Sequence, residues 1–466
     1  MKKTVTFLCT ALLAVSAYAD EFVSAGNGTT YTLSDLSKIP ACGVRSENGA
    51  WVLDSTFTIS EGDVLKLQNN EVVKFTDGLA LTIDGTLDCA PADTVLVTRY
   101  GEGTPKGFRM YSDNANAILK NARFEYVGIT FASTNGSLKA ENCTFYKYAA
   151  SLSTSACINF SKAGKGNVID HCYFLESGTG AVGNGANTPV GIKVTNNYFY
   201  CNNSGNSNRP QINLTCYGAE DVEISGNTVI GGHFTKVGGI AVNNMLGQAF
   251  SNKVTIKNNV VKENRYGITV TGSLDVDIID NDIIDNIYET NANNGGSGIS
   301  LYDSAGKGKI YVKGNYIDNN LWGITIIGKP EVNAGKVEDK NAADYNPGGN
   351  VFKNNGNNGV LYDLYNNGPN TVYAQGNVWN VETQDSTSIE KVVWHKADFA
   401  TLGEVIFMPA GSKEQTSVNE VKTVAPVEAV RYFDLMGRES AVPFEGVNIV
   451  VERHTDGSVT TSKVMK

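Results

Sequence analysis

The sequence is short of basic side chains: 38 Lys and Arg stand against 48 Asp and Glu, for a formal net charge of −10. Phosphate backbones need a basic footprint, so nucleic acid is a poor partner. Past the first nineteen residues there is no apolar run long enough to span a bilayer. There is no CxxC pair, which removes the usual zinc frameworks. There is no GxSxG elbow and no phosphate-cradling P-loop. Apolar residues at helical spacing are almost absent too, so a helical fold is excluded.

Residues 1–19 combine Lys2 and Lys3, the short apolar run VTFLCTALLAV and the small-residue stretch AYA. That order describes a secretory signal peptide rather than a membrane span. Its removal takes the formal charge from −10 to −12. Seven Cys remain, at 42, 89, 143, 157, 172, 201 and 216, so at least one stays unpaired within the chain. The expected location is extracellular or on the outer-membrane surface.

What is present is alternation with a period of two, in VTIKNNVV, VDIIDNDII and IYVKGNYI, with Gly and Asn in the gaps. These segments repeat. One column runs Ala122, Cys143, Cys172, Asn197, Asn227, Asn259, Asn281, Asn315, Asn350 and Asn377, each two residues before a buried apolar residue. A second, five residues on, holds Asn202, Asn264, Asn286, Asn320 and Asn355. A third is a strand opening on Gly: GIAV, GITV, GISL, GITI and, at 359, GVLY. About ten or more coils of at least roughly 21 residues, with Asn at their turns, describe a parallel β-helix. Equal positions stack about 4.8 Å apart into columns.

On these segments, residues from about 50 to 410 resemble the right-handed parallel β-helix superfamily, which includes pectate-lyase-like proteins. The expected fold is all-β, with the helix over 20–410. Its C-terminal cap spans about 380–410, with a short helix near 387–396 and a strand from Gly403 to Pro409. A polar linker follows over 411–427. The last stretch, 428–466, is expected to be a small β-sandwich. Its YFDLMGR (432–438), GVNIVV (446–451), DG (456–457) and basic end KVMK resemble the C-terminal sorting domain of the type IX secretion system, with Asn448 where that family usually has Tyr. The resemblance implies that type IX machinery is a partner.

Chemistry is sought in three places. IDHCYF at 169–174 resembles part of the signature of chondroitinase-B-like and alginate lyases. There a Gly-Lys follows; here Leu175, Glu176 and Ser177 do. Cys172 and Phe174 are column members, so the stretch reads first as one structural rung. NNYF (196–199) and NRPQINL (208–214) resemble later segments of that family, which would make Arg209 a sugar-binding residue. The acidic run DVDIIDNDIIDN lacks EF-hand spacing. Its Asp280 lies four coils from Asp170, roughly 19 Å, too far for a glycosidase pair. The NTD…DD…GHG set of polygalacturonases is missing as well.

The columns supply the third place. Four residues beyond the first ladder, Glu263 and Asp285 lie on neighbouring coils, where two close carboxylates either share a proton or recruit Ca²⁺. Two residues further sit His233 and Arg265. The insertions 178–190, 203–211, 232–238 and 287–297 emerge on the same side and bring Arg209, Tyr288 and Glu289. Such a groove suits an acidic polysaccharide. In a lyase, His233 or Arg265 would take the proton alpha to the sugar carboxylate. The rival reading is a non-catalytic adhesin or surface structural protein.

Overall fold

The computed structural model describes residues 21–412, apart from 149–155, 163, 290 and 292–293, together with 427–434, 437–444, 447–454 and 459–465. The expected signal peptide lies outside the described residues, as does the expected linker 411–427 apart from 411, 412 and 427. The chain divides into two compact units, 1–411 and 412–466.

The first unit is a right-handed parallel β-helix built from three long sheets of 14, 14 and 13 strands. Each coil contributes one strand to each. In one coil Gly180–Asn184 lies in the first sheet, Val190–Thr195 in the second and Tyr198–Tyr200 in the third. The next coil resumes in the first sheet at Ile212–Thr215. The expected insertion 178–190 therefore contains a first-sheet strand, because its small residues fit that sheet's buried face. No described helix is long and apolar enough to cross a membrane.

Period-two alternation fills the interior with stacked columns of apolar side chains. Phe124, Phe145, Phe174 and Phe199 stack face to face, with centroids 5.0, 4.8 and 4.9 Å apart. Burying each such ring contributes about 1.5–3 kcal/mol, and truncating Phe174 to Ala costs about 3–5 kcal/mol. All seven described cysteines are free thiols, six of them buried. Burial pushes the Cys172 thiol well above its ordinary range.

The corner between the second and third sheets is the first Asn ladder. Each backbone N–H donates to the Oδ1 of the next coil's Asn, from Cys172 to Asn197 (2.8 Å), Asn197 to Asn227 (2.9 Å) and onward to Asn377. The residue before each ladder position is left-handed: Asn121, Asn142, His171, Asn196, Gly226, Asn258 and Asp280. Asn, Gly and Asp accept that conformation readily. His171 is thus a corner residue. Asp170 holds it, receiving bonds from Thr195 and Asn196 and lying 2.7 Å from His171 Nδ1.

The Gly column packs against the next coil. A Cβ on Gly267 would lie 2.5 Å from the Gly298 carbonyl oxygen. GVLY at 359 does not open a strand: Gly359 turns at φ +87, and the strand is Leu364–Asn367. Register places Asp363 opposite Gly323 instead.

Both ends are covered. Leu33–Leu36 forms a helix capped by Thr32, and Asp63 holds the entering chain through Ser24, Gly26, Gly28 and Thr29. At the other end the helix is shorter than expected, Ser386–Ile389 followed by a 3₁₀ turn at Glu390–Val392. Val393–Trp394 leaves it to pair with Leu364 and Tyr365, as a β-branched and an aromatic residue favour. Val405–Ile406 pairs with Val372–Tyr373.

In the second unit the described strands Val427–Asp434, Glu439–Ser440, Val447–His454 and Val459–Met465 form one antiparallel sheet. The second sheet of a sandwich is not among the described residues. Asn448 accepts from the Phe444 N–H (2.7 Å) and donates to its carbonyl (2.8 Å), pinning the turn into its strand.

Candidate functional site

The corner between the third and first sheets turns on left-handed residues as the other does, but with different side chains. Its column, four residues beyond the first ladder, holds Tyr126, Lys147, Glu176, Cys201, Glu263 and Asp285, and reaches Asn only at 319 and 354. An ordinary residue pays roughly 1–2 kcal/mol for this conformation. Strain carried by side chains with chemistry to offer, where Asn or Gly would serve, points to function. With Arg99 on the preceding coil, the line spans eight coils, roughly 34 Å at the usual strand spacing.

Its first half borders a groove of about 530 Å³, lined by Arg99, Tyr126, Lys147, Glu176, Tyr200 and Phe234 among others. The Arg99 guanidinium lies 3.8 Å from the Tyr126 ring centroid and pairs with Glu102. Lys147 reaches Tyr146 (5.0 Å to the centroid) and Glu176 (3.7 Å). Its ammonium is held above the usual lysine range by Tyr146 first and Glu176 after it. Tyr200 is pushed up to about 12 by its contact with Cys201 and by burial. On the adjoining face of the third sheet, Arg123 pairs with Glu125 (2.6 Å) and lies over Tyr146. Composition alone missed these residues. The signal was available, because the offset that selects Glu263 and Asp285 selects Tyr126, Lys147, Glu176 and Cys201 on the earlier coils.

The second half brings together four of the seven expected residues. His233 Nε2 lies 3.1 Å from Glu263 Oε2, and its ring stacks on Tyr288 at 4.0 Å and 6°. Lys262 reaches the other Glu263 oxygen at 3.1 Å. Burial raises the Glu263 carboxyl, but Lys262 and His233 outweigh it and hold it below its ordinary value. Burial, then Glu263 and Asp285, raise Tyr288, which places Asp285 in the same group. Asp285 accepts from the Asn319 amide at 2.6 Å. The Lys262 ammonium and His233 thus hold the Glu263 carboxylate that the expected calcium site shares with Asp285.

The other three sit at the rim. Arg265 is a loop fastener, its guanidinium donating to the Asn294 carbonyl and to Asn208 Oδ1. Glu289 accepts from the Asn291 N–H at 2.9 Å. Arg209 is exposed, on a turn fixed by Asn203.

One further cluster of metal-ligand residue types, Glu390, His395 and Asp398, lies in the cap. His395 Nδ1 accepts from the Val405 N–H (2.8 Å) and Nε2 faces Glu390 (2.9 Å). Both ring nitrogens are committed, so the cluster is a structural clasp.

No family model and no curated protein matches the chain. Among solved structures it is similar to the periplasmic alginate epimerase AlgG, at 12% identity over 81% of this chain and 83% of that one, with a TM-score of 0.46. It is also similar to a mannuronic acid specific polysaccharide family 6 lyase from human gut microbiota, at 13% identity over 82% and 91%, TM-score 0.35. A third is the bacteriophage CBA120 tailspike protein 3, at 11% identity over 95% and 64%, TM-score 0.29. A likeness at this level concerns the fold.

Proposed function

We propose that this protein is exported and holds an acidic polysaccharide along the third-to-first corner. The observation that carries the reading is the line of Tyr126, Lys147, Glu176 and Cys201 in left-handed positions beside a groove. A column whose step is one coil suits a ligand that is itself a repeating chain. Arg99 and Lys147 offer positive points for sugar carboxylates, and Tyr126, Tyr200 and Phe234 offer ring faces. The cations are paired with Glu102 and Glu176, but exposed pairs are worth only about 0–1 kcal/mol each, so a ligand carboxylate can take their place.

The His233–Glu263 contact favours a further step, cleavage by β-elimination. With Nε2–H donated to Glu263, a neutral His233 keeps Nδ1 free as a base. It would take the proton alpha to the sugar carboxylate. The electron pair forms a C=C bond, the glycosidic oxygen leaves, and solvent protonates it. Arg209 stands at the rim as a sugar contact, Arg265 fixes the loops around the site, and no cofactor is needed. A non-catalytic adhesin would use the same groove without turnover.

The test is affinity electrophoresis through gels containing polygalacturonate, alginate or chondroitin sulfate, with parallel absorbance in the unsaturated-uronate band. Retardation that weakens in Lys147→Ala and with salt supports the groove. Absorbance that grows, and is lost in His233→Ala with retardation kept, supports elimination. Retardation without absorbance supports the adhesin. No retardation on any acidic gel overturns the reading.

The C-terminal unit belongs to the same proposal, as the sorting module that carries the protein to the surface through type IX machinery. Mass spectrometry of the exported protein tests it. Loss of residues 1–19 and of the C-terminal unit is expected, and an intact surface form lacking only 1–19 leaves the sorting role without support.

A further inference from the structure

A second aromatic assembly stands where the chain leaves the third-to-first corner, beginning one coil beyond Asp285. Trp322 stacks on Tyr362 with centroids 5.5 Å apart and planes within 5°. Tyr365 stacks on Trp394 at 5.7 Å and 13°. Trp322 and Tyr365 join the two pairs at 5.2 Å. Trp322, Tyr365 and Trp394 stand in three consecutive first-sheet strands, Trp322–Gly328, Leu364–Asn367 and Val393–Trp394, and Tyr362 lies two residues before the second of them. All four are partly exposed.

The core does not require them. The buried inward positions of these strands are held by Ile324, Ile326, Leu364, Asn366 and Val393. In the outward column of Tyr365 the two preceding coils hold Thr325 and Ser300. Ser297 and Thr325 hydroxyls meet at 2.9 Å beside the rings. The face is therefore aromatic with alcohols at its edge.

We infer that this platform binds a neutral saccharide, one pyranose face laid on the rings. Two physical arguments select that occupant. Burial first, then Asp398 and Tyr365, raise Tyr362, and an acid near that ring disfavours a polyanion. The rings expose a few hundred Å² at most, well under the roughly 800 Å² per partner of a stable protein interface. A sugar ring matches the remaining requirements. Its C–H bonds meet the aromatic surface that the stacked pairs leave exposed, and its equatorial hydroxyls meet Ser and Thr. The platform adjoins the end of the acidic corner but shares none of its side chains.

The test is affinity electrophoresis of the full chain through gels containing soluble xylan, galactomannan or hydroxyethyl cellulose, with light scattering on the same samples. At least one neutral gel is expected to retard the protein, and Trp322→Ala and Tyr365→Ala to weaken that retardation at least tenfold. His233→Ala and Lys147→Ala are expected to leave it unchanged. Far-ultraviolet circular dichroism confirms that each variant is folded, and Trp322→Phe restores part of the binding. Equal mobility of wild type and variants on all neutral gels overturns the inference. So does a wild-type oligomer that dissociates in Trp322→Ala, which would make the face an interface between copies.

Discussion

Asn355 donates its side-chain amide to Asp363 Oδ1 at 3.3 Å, and the inner polar ladder of the third-to-first corner ends there. The ladder is directional, each Asn amide donating to the next coil's Oδ1: Asn264 to Asn286, Asn286 to Asn320 and Asn320 to Asn355. Its last member needs an acceptor. Asp363 supplies it, and also accepts from the Asn380 N–H at 2.7 Å.

That position makes stability depend on pH. Burial raises the Asp363 carboxyl to about 7, against the smaller opposing pull of Asn380 and Asn355. A folded pKa above the unfolded one near 3.8 stabilises the fold below about pH 4, and that contribution is lost as pH rises through 7. Urea unfolding between pH 4 and 8 should show stability falling by up to about 1.4 kcal/mol per pH unit from this group. In Asp363→Asn the decline should flatten. An equal slope in wild type and variant would remove Asp363 as its source.

Gln211 solves the matching problem in mid-ladder. The coil between Asn202 and Asn264 carries Gly232 where an Asn would stand. Gln211 fills in, accepting from the Asn202 amide (3.0 Å) and donating to Asn264 Oδ1 (3.0 Å). Gln211→Ala should orphan both and lower stability by about 1–3 kcal/mol for each unsatisfied group. Chemical denaturation measures this, and an unchanged midpoint would show that the gap is filled otherwise.

Lys147 should display a trade between stability and binding. Asn adopts the left-handed corner more easily than Lys, so Lys147→Asn should melt at the same or a higher temperature while retardation on acidic gels weakens. A variant that melts lower yet binds as well would mean that the Lys is there for the fold.

Glu263 should act through His233. Glu263→Gln keeps shape and removes the charge that orients the imidazole. Elimination, where it occurs, should slow at least tenfold with retardation unchanged. Equal loss of both would make Glu263 a binding residue.

The coils were legible because each deposits one Asn on a column and alternates with a period of two. Cys172 and Phe174 are legible as members of a rung for that reason. Asp363 and Gln211 were not legible. Both stand in the Gly column, where a Cβ on Gly298 would press within 3.0 Å of Asn320 Nδ2, and a longer side chain enters only where the Asn is missing or the ladder ends. That exchange between columns has no local pattern. The groove half near Lys147 was legible by offset, but the contacts of Arg265 with Asn208 and Asn294 depend on loops whose course no periodicity sets.

The direct measurement is a crystal structure of the full chain soaked with an acidic oligosaccharide of six or so units. The account expects sugar along the corner between Arg99 and Tyr288, its carboxylates meeting Arg99 and Lys147. A saturated crystal with that corner empty, or with the acidic sugar on the Trp322 face instead, would contradict it.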